Sequence, residues 1–236
     1  MKIGLFSDPH YCHIEIPSPR RFTLSYKKIT EAMDYFKAEG VELVLCLGDL
    51  VDDCRNYEDN VESIGKIVAL IRSYGIPFYS LMGNHDYQNF TREEFNRLTG
   101  GAYPPPRMTA GKSTLLFLDC NYGDDGRIYE PGKVNWIDTR LPEEQLVSLE
   151  HALSDPLVEE AYVFSHQSIE DQVDGNHIVH NAADIRAVLS ASGKVRAMIQ
   201  GHYHPGHDTV IDGVRYHTLP AMCEGETNYY EIMIVE

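Results

Sequence analysis

The chain has 236 residues, 43% of them hydrophobic, and its 36 acidic side chains outnumber 20 basic ones to give a formal net charge of −16. That length and apolar content suit one large α/β domain over residues 1–236. The charge, with no basic stripe to reverse it locally, argues against long nucleic acid as a partner, and no apolar run reaches the ~20 residues of a membrane span.

MKIGLFSDPHYCH breaks its short apolar start with Asp8 and His10 instead of reading as a leader. A soluble, cytoplasmic protein is the expectation. The five cysteines, Cys12, Cys46, Cys54, Cys120 and Cys223, are scattered and form no CxxC pair, which argues against a disulfide framework or a zinc ribbon. Cys46 and Cys120 lie in strand-like runs and read as small buried apolar residues, whereas Cys12 follows a polar motif near a candidate site.

From the N-terminus, KIGLFSD reads as a strand, followed by a helix from about Ser25 to Glu39 with Ile29, Met33 and Phe36 on one face and Gly40 as its stop. VELVLCLGD is a second strand. A second helix from Asn60 to Tyr74 places Ile64, Val68 and Ile71 on one face, and IPFYSLMGNHD makes the third strand. Two strand–helix–strand units in succession imply a parallel sheet with right-handed crossovers. GGAYPPPR is loop by composition. Strands resume at STLLFLD and AYVFSH, with a helix starting near Pro142 between them, and a further helix from about Ala182 to Ser192 leads into VRAMIQGHYH. HDTVIDGVRYHTLPAMC and NYYEIMIVE read as hairpins closing a second, mixed sheet.

The strands share one peculiarity: apolar runs end abruptly in polar residues. The first delivers Asp8 and His10, the second Asp49 and Asp52, the third Asn84, His85 and Asp86, and later ones His166, His202 and His204. The carboxyl edge of a parallel α/β sheet is where ligand crevices form, so these residues can converge. Two Asp carboxylates, an Asn carbonyl and four imidazoles make a mixed oxygen and nitrogen set that suits manganese, iron or zinc. Seven candidates, Asp8, His10, Asp49, Asn84, His166, His202 and His204, exceed one tetrahedral ion and fit two ions with one bridging carboxylate.

These blocks resemble the calcineurin-like metallophosphoesterases, whose motifs occur here in order as D-P-H, G-D-L-V-D, G-N-H-D, a lone His in S-H-Q, and G-H-Y-H, over residues 8 to 204. The resemblance implies an α/β fold with two mixed β-sheets packed face to face and helices on the outer faces. It implies that Asp8, His10 and His204 hold one divalent ion, that Asn84, His166 and His202 hold a second, and that Asp49 bridges them. His85, beside ligand Asn84, then protonates the leaving oxygen or stabilises the transition state, and both residues contact substrate. Asp52 is the carboxylate expected to orient His85, with Asp86 competing for that role. In cyclic-nucleotide phosphodiesterase-like relatives a His and an Asn near His177 and Asn181 border the substrate pocket.

Phosphoprotein phosphatases carry Arg after the G-D-x-V-D aspartate and Glu after G-N-H, where this chain has Asp53 and Asp86. The motifs are closer to the class III cyclic-nucleotide phosphodiesterase, glycerophosphodiesterase and ADP-ribose pyrophosphatase branch. The expected activity is hydrolysis of small phosphodiesters or pyrophosphates by metal-activated hydroxide. The alternatives are a non-catalytic metal-bound scaffold, a phosphomonoesterase or a nuclease on the same fold; the oligomeric state is left open.

Overall fold

The computed structural model describes residues 1–18 and 20–235. One sheet is built by β1 (Lys2–Phe6), β2 (Leu43–Cys46) and β3 (Phe78–Ser80), all parallel, with α1 (Leu24–Ala38) and α2 (Tyr57–Ser73) as the crossovers. Each helix shows its stripe: Ile29, Ala32, Met33 and Phe36 of α1 and Ile64, Ile67, Val68 and Ile71 of α2 are buried. Helix α2 starts three residues before the expected Asn60, because the Asn56 side chain accepts the amide of Asp59 and caps the first turn. The GNHD segment is not strand: β3 is short, and α3 (Asn84–Asn89) begins at Asn84.

After α4 (Arg92–Leu98), the second sheet runs in the order β4 (Arg107–Ala110), β5 (Ser113–Phe117), β6 (Glu160–Phe164), β7 (Val195–Gln200), β9 (Val214–Thr218), β8 (His207–Ile211). Helices α5 (Glu143–Ser154) and α6 (Ala182–Ser192) cross between its parallel strands. One part of the C-terminal expectation is corrected. The β8–β9 hairpin joins the second sheet, but β10 (Glu231–Ile234) returns to pair antiparallel with β1 and closes the edge of the first.

Residue alternation divides the core into layers. Ile3, Leu5, Leu43 and Leu45 of the first sheet meet Leu115, Phe117, Phe164 and Ile199 of the second in one cluster. Phe6, Val44 and Cys46 face the opposite way into α1 and α2, and Leu116, Val163 and Met198 face α5 and α6. The result is the expected sandwich: two mixed sheets face to face, with helices on both outer faces.

Candidate metal centre

The carboxyl ends of β1, β2, β6 and β7 meet at one edge of the sandwich, and the loops leaving them carry the polar motifs. Their backbone is unusual. Asp8 (φ 51°), His10 (φ 44°), Asp49 (φ 51°) and His202 (φ 66°) all sit in the left-handed region, which costs non-glycine residues energy and persists where surroundings over-determine it. Here the surroundings are ladder-like hydrogen bonds, from Asp8 N–H to Gly48 O (3.2 Å) and from His10 N–H to Asp49 O (2.9 Å). Gly83 has a steric reason, since a Cβ there would fall on the Asp49 carboxylate.

This edge brings together all seven candidate ligands. His10 Nε2 lies 3.4 Å from Asp49 Oδ2, 3.8 Å from Asp8 Oδ1 and 3.3 Å from His204 Nε2. On the other side His166 Nε2 lies 3.3 Å from the same Asp49 oxygen and 3.2 Å from Asn84 Oδ1, and a ligand atom of His202 lies within 4.8 Å of those of Asp49 and His166. Asp49 Oδ2 is therefore common to two groups of nitrogen and oxygen donors. The far ring nitrogens are taken: His10 Nδ1 by Asp52 (2.8 Å), His166 Nδ1 by Leu47 O (2.9 Å) and His204 Nδ1 by Glu224 (2.7 Å). Such outer contacts fix tautomer and aim in metal-binding histidines.

Two buried atoms test the fit to metal directly. Asp8 Oδ1 and His202 Nε2 have no hydrogen-bond partner among the described residues, and an orphaned buried polar atom is costly. Asp8 Oδ1 faces the cluster, 3.8 Å from His10 Nε2 and 3.7 Å from His204 Nε2, and a ring nitrogen of His202 reaches it beside Asp49 and His166, so cations there would supply the missing partners. The donor set fits two divalent ions.

Electrostatics agree. Burial disfavours the imidazolium of His10, but Asp49, Asp52 and Asp8 outweigh it and lift its pKa to about 10. Burial opposes charge on His166 too, and Asp49 nevertheless raises it to about 9. Burial, reinforced by the repulsion of His166, holds His202 well below its usual value. Burial works against Asp49 as well, yet His166, His85 and His10 keep it ionised well below the carboxylate range. In the protein alone, protons on His10 and His166 occupy the electrostatic role that cations would take.

His85 stands at the mouth of this cluster, its side chain 25% exposed. Its backbone N–H donates to Asp49 Oδ1 (2.8 Å) and its Nδ1 lies 3.2 Å from Asp52 Oδ1. The orienting contact thus belongs to Asp52. Asp86, the expected competitor, is fully buried and accepts the backbone N–H groups of Gly83, Leu50 and Val51, so it braces the two ligand loops without reaching His85. Burial and the nearby Asp49 charge push Asp86 up to about 7 against those three donors.

A cavity of about 560 Å³ opens over the cluster. His177 lines it, with its ring centroid 5.2 Å from Trp136 and 5.3 Å from Tyr203. Asn181 is not brought there. Its side-chain amide exchanges hydrogen bonds with the backbone N–H and C=O of Leu141 at 3.0 and 2.9 Å, which spends its polar atoms inside the fold.

Sequence reasoning missed four features. Arg20 enters the cavity, its Nη1 donating to Asp52 Oδ2 (2.9 Å) and lying 3.3 Å from His85 Nε2; its one signal is the basic pair in SPRR of an acidic chain. Glu224 supports His204 from a segment without a motif. Trp136 is the chain's single tryptophan and is still 37% exposed. Cys12 and Cys54 are disulfide-bonded, each two residues beyond a member of the His10–Asp52 pair, so one bridge exists where no framework was expected; Cys46, Cys120 and Cys223 are free and buried.

The model of the calcineurin-like phosphoesterase family matches residues 1–206. The chain belongs to that family. It is a metal-dependent phosphoesterase, and family members use a dinuclear divalent metal centre. It is 24% identical over 241 residues to the 3',5'-cyclic adenosine monophosphate phosphodiesterase CpdA of Haemophilus influenzae, covering 94% of this chain and 77% of that one. Among solved structures, a dimetal phosphatase from Danio rerio superposes with a TM-score of 0.84 at 20% identity, over 98% of this chain and 91% of the other. A purple acid phosphatase from yellow lupin matches at 0.63 and 13% identity, over 97% of this chain and 46% of that one. These structures share the fold.

Proposed function

We propose that this calcineurin-like phosphoesterase hydrolyses small phosphodiesters carrying a nucleoside-like group, with Asp8, His10 and His204 holding one divalent ion, Asn84, His166 and His202 a second, and Asp49 bridging. The observation that carries the reading is the single Asp49 oxygen shared by the two donor groups, with His85 beside it at the mouth of the cavity. When bound, two divalent ions would supply an activated water at neutral pH and neutralise the charge that develops on the phosphoryl oxygens.

The chain's own residues do the rest. Two ions bring four positive charges and Asp8 with Asp49 return two negative ones, so an acidic protein keeps a locally cationic site for a phosphate anion. Arg20 adds a guanidinium within reach of the same space, partly spent on Asp52. His85, aligned by Asp52, delivers a proton to the departing alkoxide. Trp136, His177 and Tyr203 form an aromatic wall on which a base or ring of the leaving group can stack. The likeness to a cyclic-nucleotide phosphodiesterase supports the same substrate class.

The test is an assay of manganese-loaded protein against a cyclic nucleotide, an aliphatic phosphodiester, a nucleoside pyrophosphate and a phosphomonoester, with wild type and Trp136→Ala. The cyclic nucleotide should be the best substrate, and Trp136→Ala should lower its kcat/KM about 10-fold, the range of one base–aromatic stack. The aliphatic diester should be indifferent to the substitution. Preference for the monoester, or an equal loss on both diesters, overturns the reading.

A further inference from the structure

Away from the metal cluster, a cavity of about 310 Å³ lies between the segment before β4, strand β5 and helix α5. Its walls are mostly apolar, from Pro104, Pro106, Leu116, Phe117, Leu149 and Ala152, and none of the seven candidate ligands lines it. The volume falls at the small end of the ~300–1,000 Å³ usual for ligand sites, which are apolar clefts with a few convergent polar groups.

The polar groups converge on Arg92. Its Nε donates to Tyr87 Oη (3.1 Å), and its Nη2 donates to Asp119 Oδ2 (2.8 Å) and Tyr122 Oη (3.1 Å), with the guanidinium 5.2 Å from the centre of the Tyr103 ring. Nη1 makes no hydrogen bond among the described residues, and the side chain keeps 33% of its surface exposed. Asp119 is saturated by other donors. Besides Arg92 it accepts the hydroxyls of Tyr87 (2.6 Å) and Tyr103 (3.0 Å) at one oxygen, and the backbone and side-chain amides of Asn121 (3.0 and 2.8 Å) at the other. Arg92 is thus a fixed cation with donor capacity left, facing an apolar chamber.

We propose that this cavity is a second binding site, for a small planar monocarboxylate whose ring lies among Pro104, Pro106 and Leu149 and whose carboxylate meets Arg92 and Tyr122. Arg92 and Asp119, both in the wall, largely offset one another, and the second guanidinium of the wall, Arg107, is paired with Asp155 (2.9 Å), so a single negative charge is what the chamber can compensate. The apolar walls call for a ring or short hydrocarbon, and the amide and hydroxyl in the wall are engaged within the fold, Gln145 with the backbone of Asp119 and Ser148 with Glu144 O.

The test is calorimetric titration of the full chain with benzoate. Metal-stripped protein and the Asp49→Ala variant should both bind it at one site, because the proposal places it away from the metals. Ala152→Trp, which fills the chamber from α5, should abolish binding. Arg92→Lys keeps a cation beside Asp119 but loses the fork, and should weaken benzoate about 10-fold or more. If Ala152→Trp fails to fold, the lysine variant decides alone. Benzyl alcohol, the uncharged counterpart, should bind at least 10-fold more weakly. The proposal is overturned if no binding is detected, if metal stripping or Asp49→Ala removes it, if both cavity variants bind as wild type does, or if the alcohol binds equally well.

Discussion

The floor of the metal centre and its rim follow different rules of construction. Asp8, His10, Asp49 and His166 are at most 1% exposed and sit on loops whose backbone is stitched to neighbouring strand ends, whereas Arg20, His85 and His177 keep between 23% and 28% of their side chains in solvent. The floor is an outcome of the fold: once the strands align, the donors have one place to go. The rim is brought by longer connections, Arg20 from the segment after β1 and Trp136 with His177 from the two segments flanking α5 and β6. On the proposed reading the chemistry belongs to the floor together with His85 at its border, and selectivity to the rest of the rim, the usual division between a rigid scaffold and its loops.

The heaviest blow to the floor is Asp49→Ala. It removes the one oxygen common to both donor groups, so both metals should leave together and activity should fall by more than the ~10²–10³-fold that one electrostatic partner is worth. Elemental analysis that still found two metals per chain would refute the bridge.

His85 stands where floor meets rim, and its substitution should separate metal binding from turnover. His85→Asn keeps the backbone N–H that donates to Asp49 Oδ1 and should leave metal content unchanged, while turnover of a diester with a poor leaving group drops by roughly 10²–10⁴-fold. A substrate with a good leaving group should lose much less. Equal losses on the two would remove the proton-delivery role.

How far this could be read from residues alone follows the same line. The floor was legible because periodic helices and abrupt polar strand ends are local signals, and topology then forces Asp8, Asp49, Asn84 and His166 to one edge. What escaped has no local signature. The pairing of β10 with β1 and the support of His204 by Glu224 are long-range partnerships, and in neither partner does the surrounding sequence announce the other. Arg20 and Trp136 are single residues in irregular segments, visible as unusual in composition but without an address. Asn181 shows the converse error: the resemblance to cyclic-nucleotide phosphodiesterase-like relatives suggested the pocket, while its amide is paired with Leu141.

Stripping the metals should expose the floor's charge balance. The raised pKa values of His10 (about 10) and His166 (about 9) mean that the folded, metal-free protein holds those protons more tightly than the unfolded chain does. Their contribution to stability is fully present below the ordinary histidine value near 6.5 and is lost as pH rises through 9 and 10. Metal-free protein should therefore lose more than ~1.4 kcal/mol, the worth of one pKa unit, between pH 6.5 and 10. Metal-loaded protein, with cations in place of those protons, should lose less. Thermal melts of both forms across that range measure the difference, and parallel curves would mean that metals and protons do not share the site.

The mildest test pairs two residues that sequence position alone would treat alike. His177 lies against Trp136 and Tyr203 at the cavity, and burial holds its imidazole below the ordinary value, so it offers a neutral ring to a substrate. His177→Ala should raise KM for a nucleotide-like diester several-fold, within the ~1–3 kcal/mol of one stacking partner, with kcat and melting temperature little changed. Asn181→Ala should do the opposite. It strands the N–H and C=O of Leu141 in a buried position, which costs about 1–3 kcal/mol of stability, and it removes nothing from the cavity, so KM and kcat of the folded enzyme should hold. If Asn181→Ala raised KM while leaving the melting temperature alone, the rim would extend further along this segment than the geometry allows, and the separation of rim from scaffold would fail at the point where it is most finely drawn.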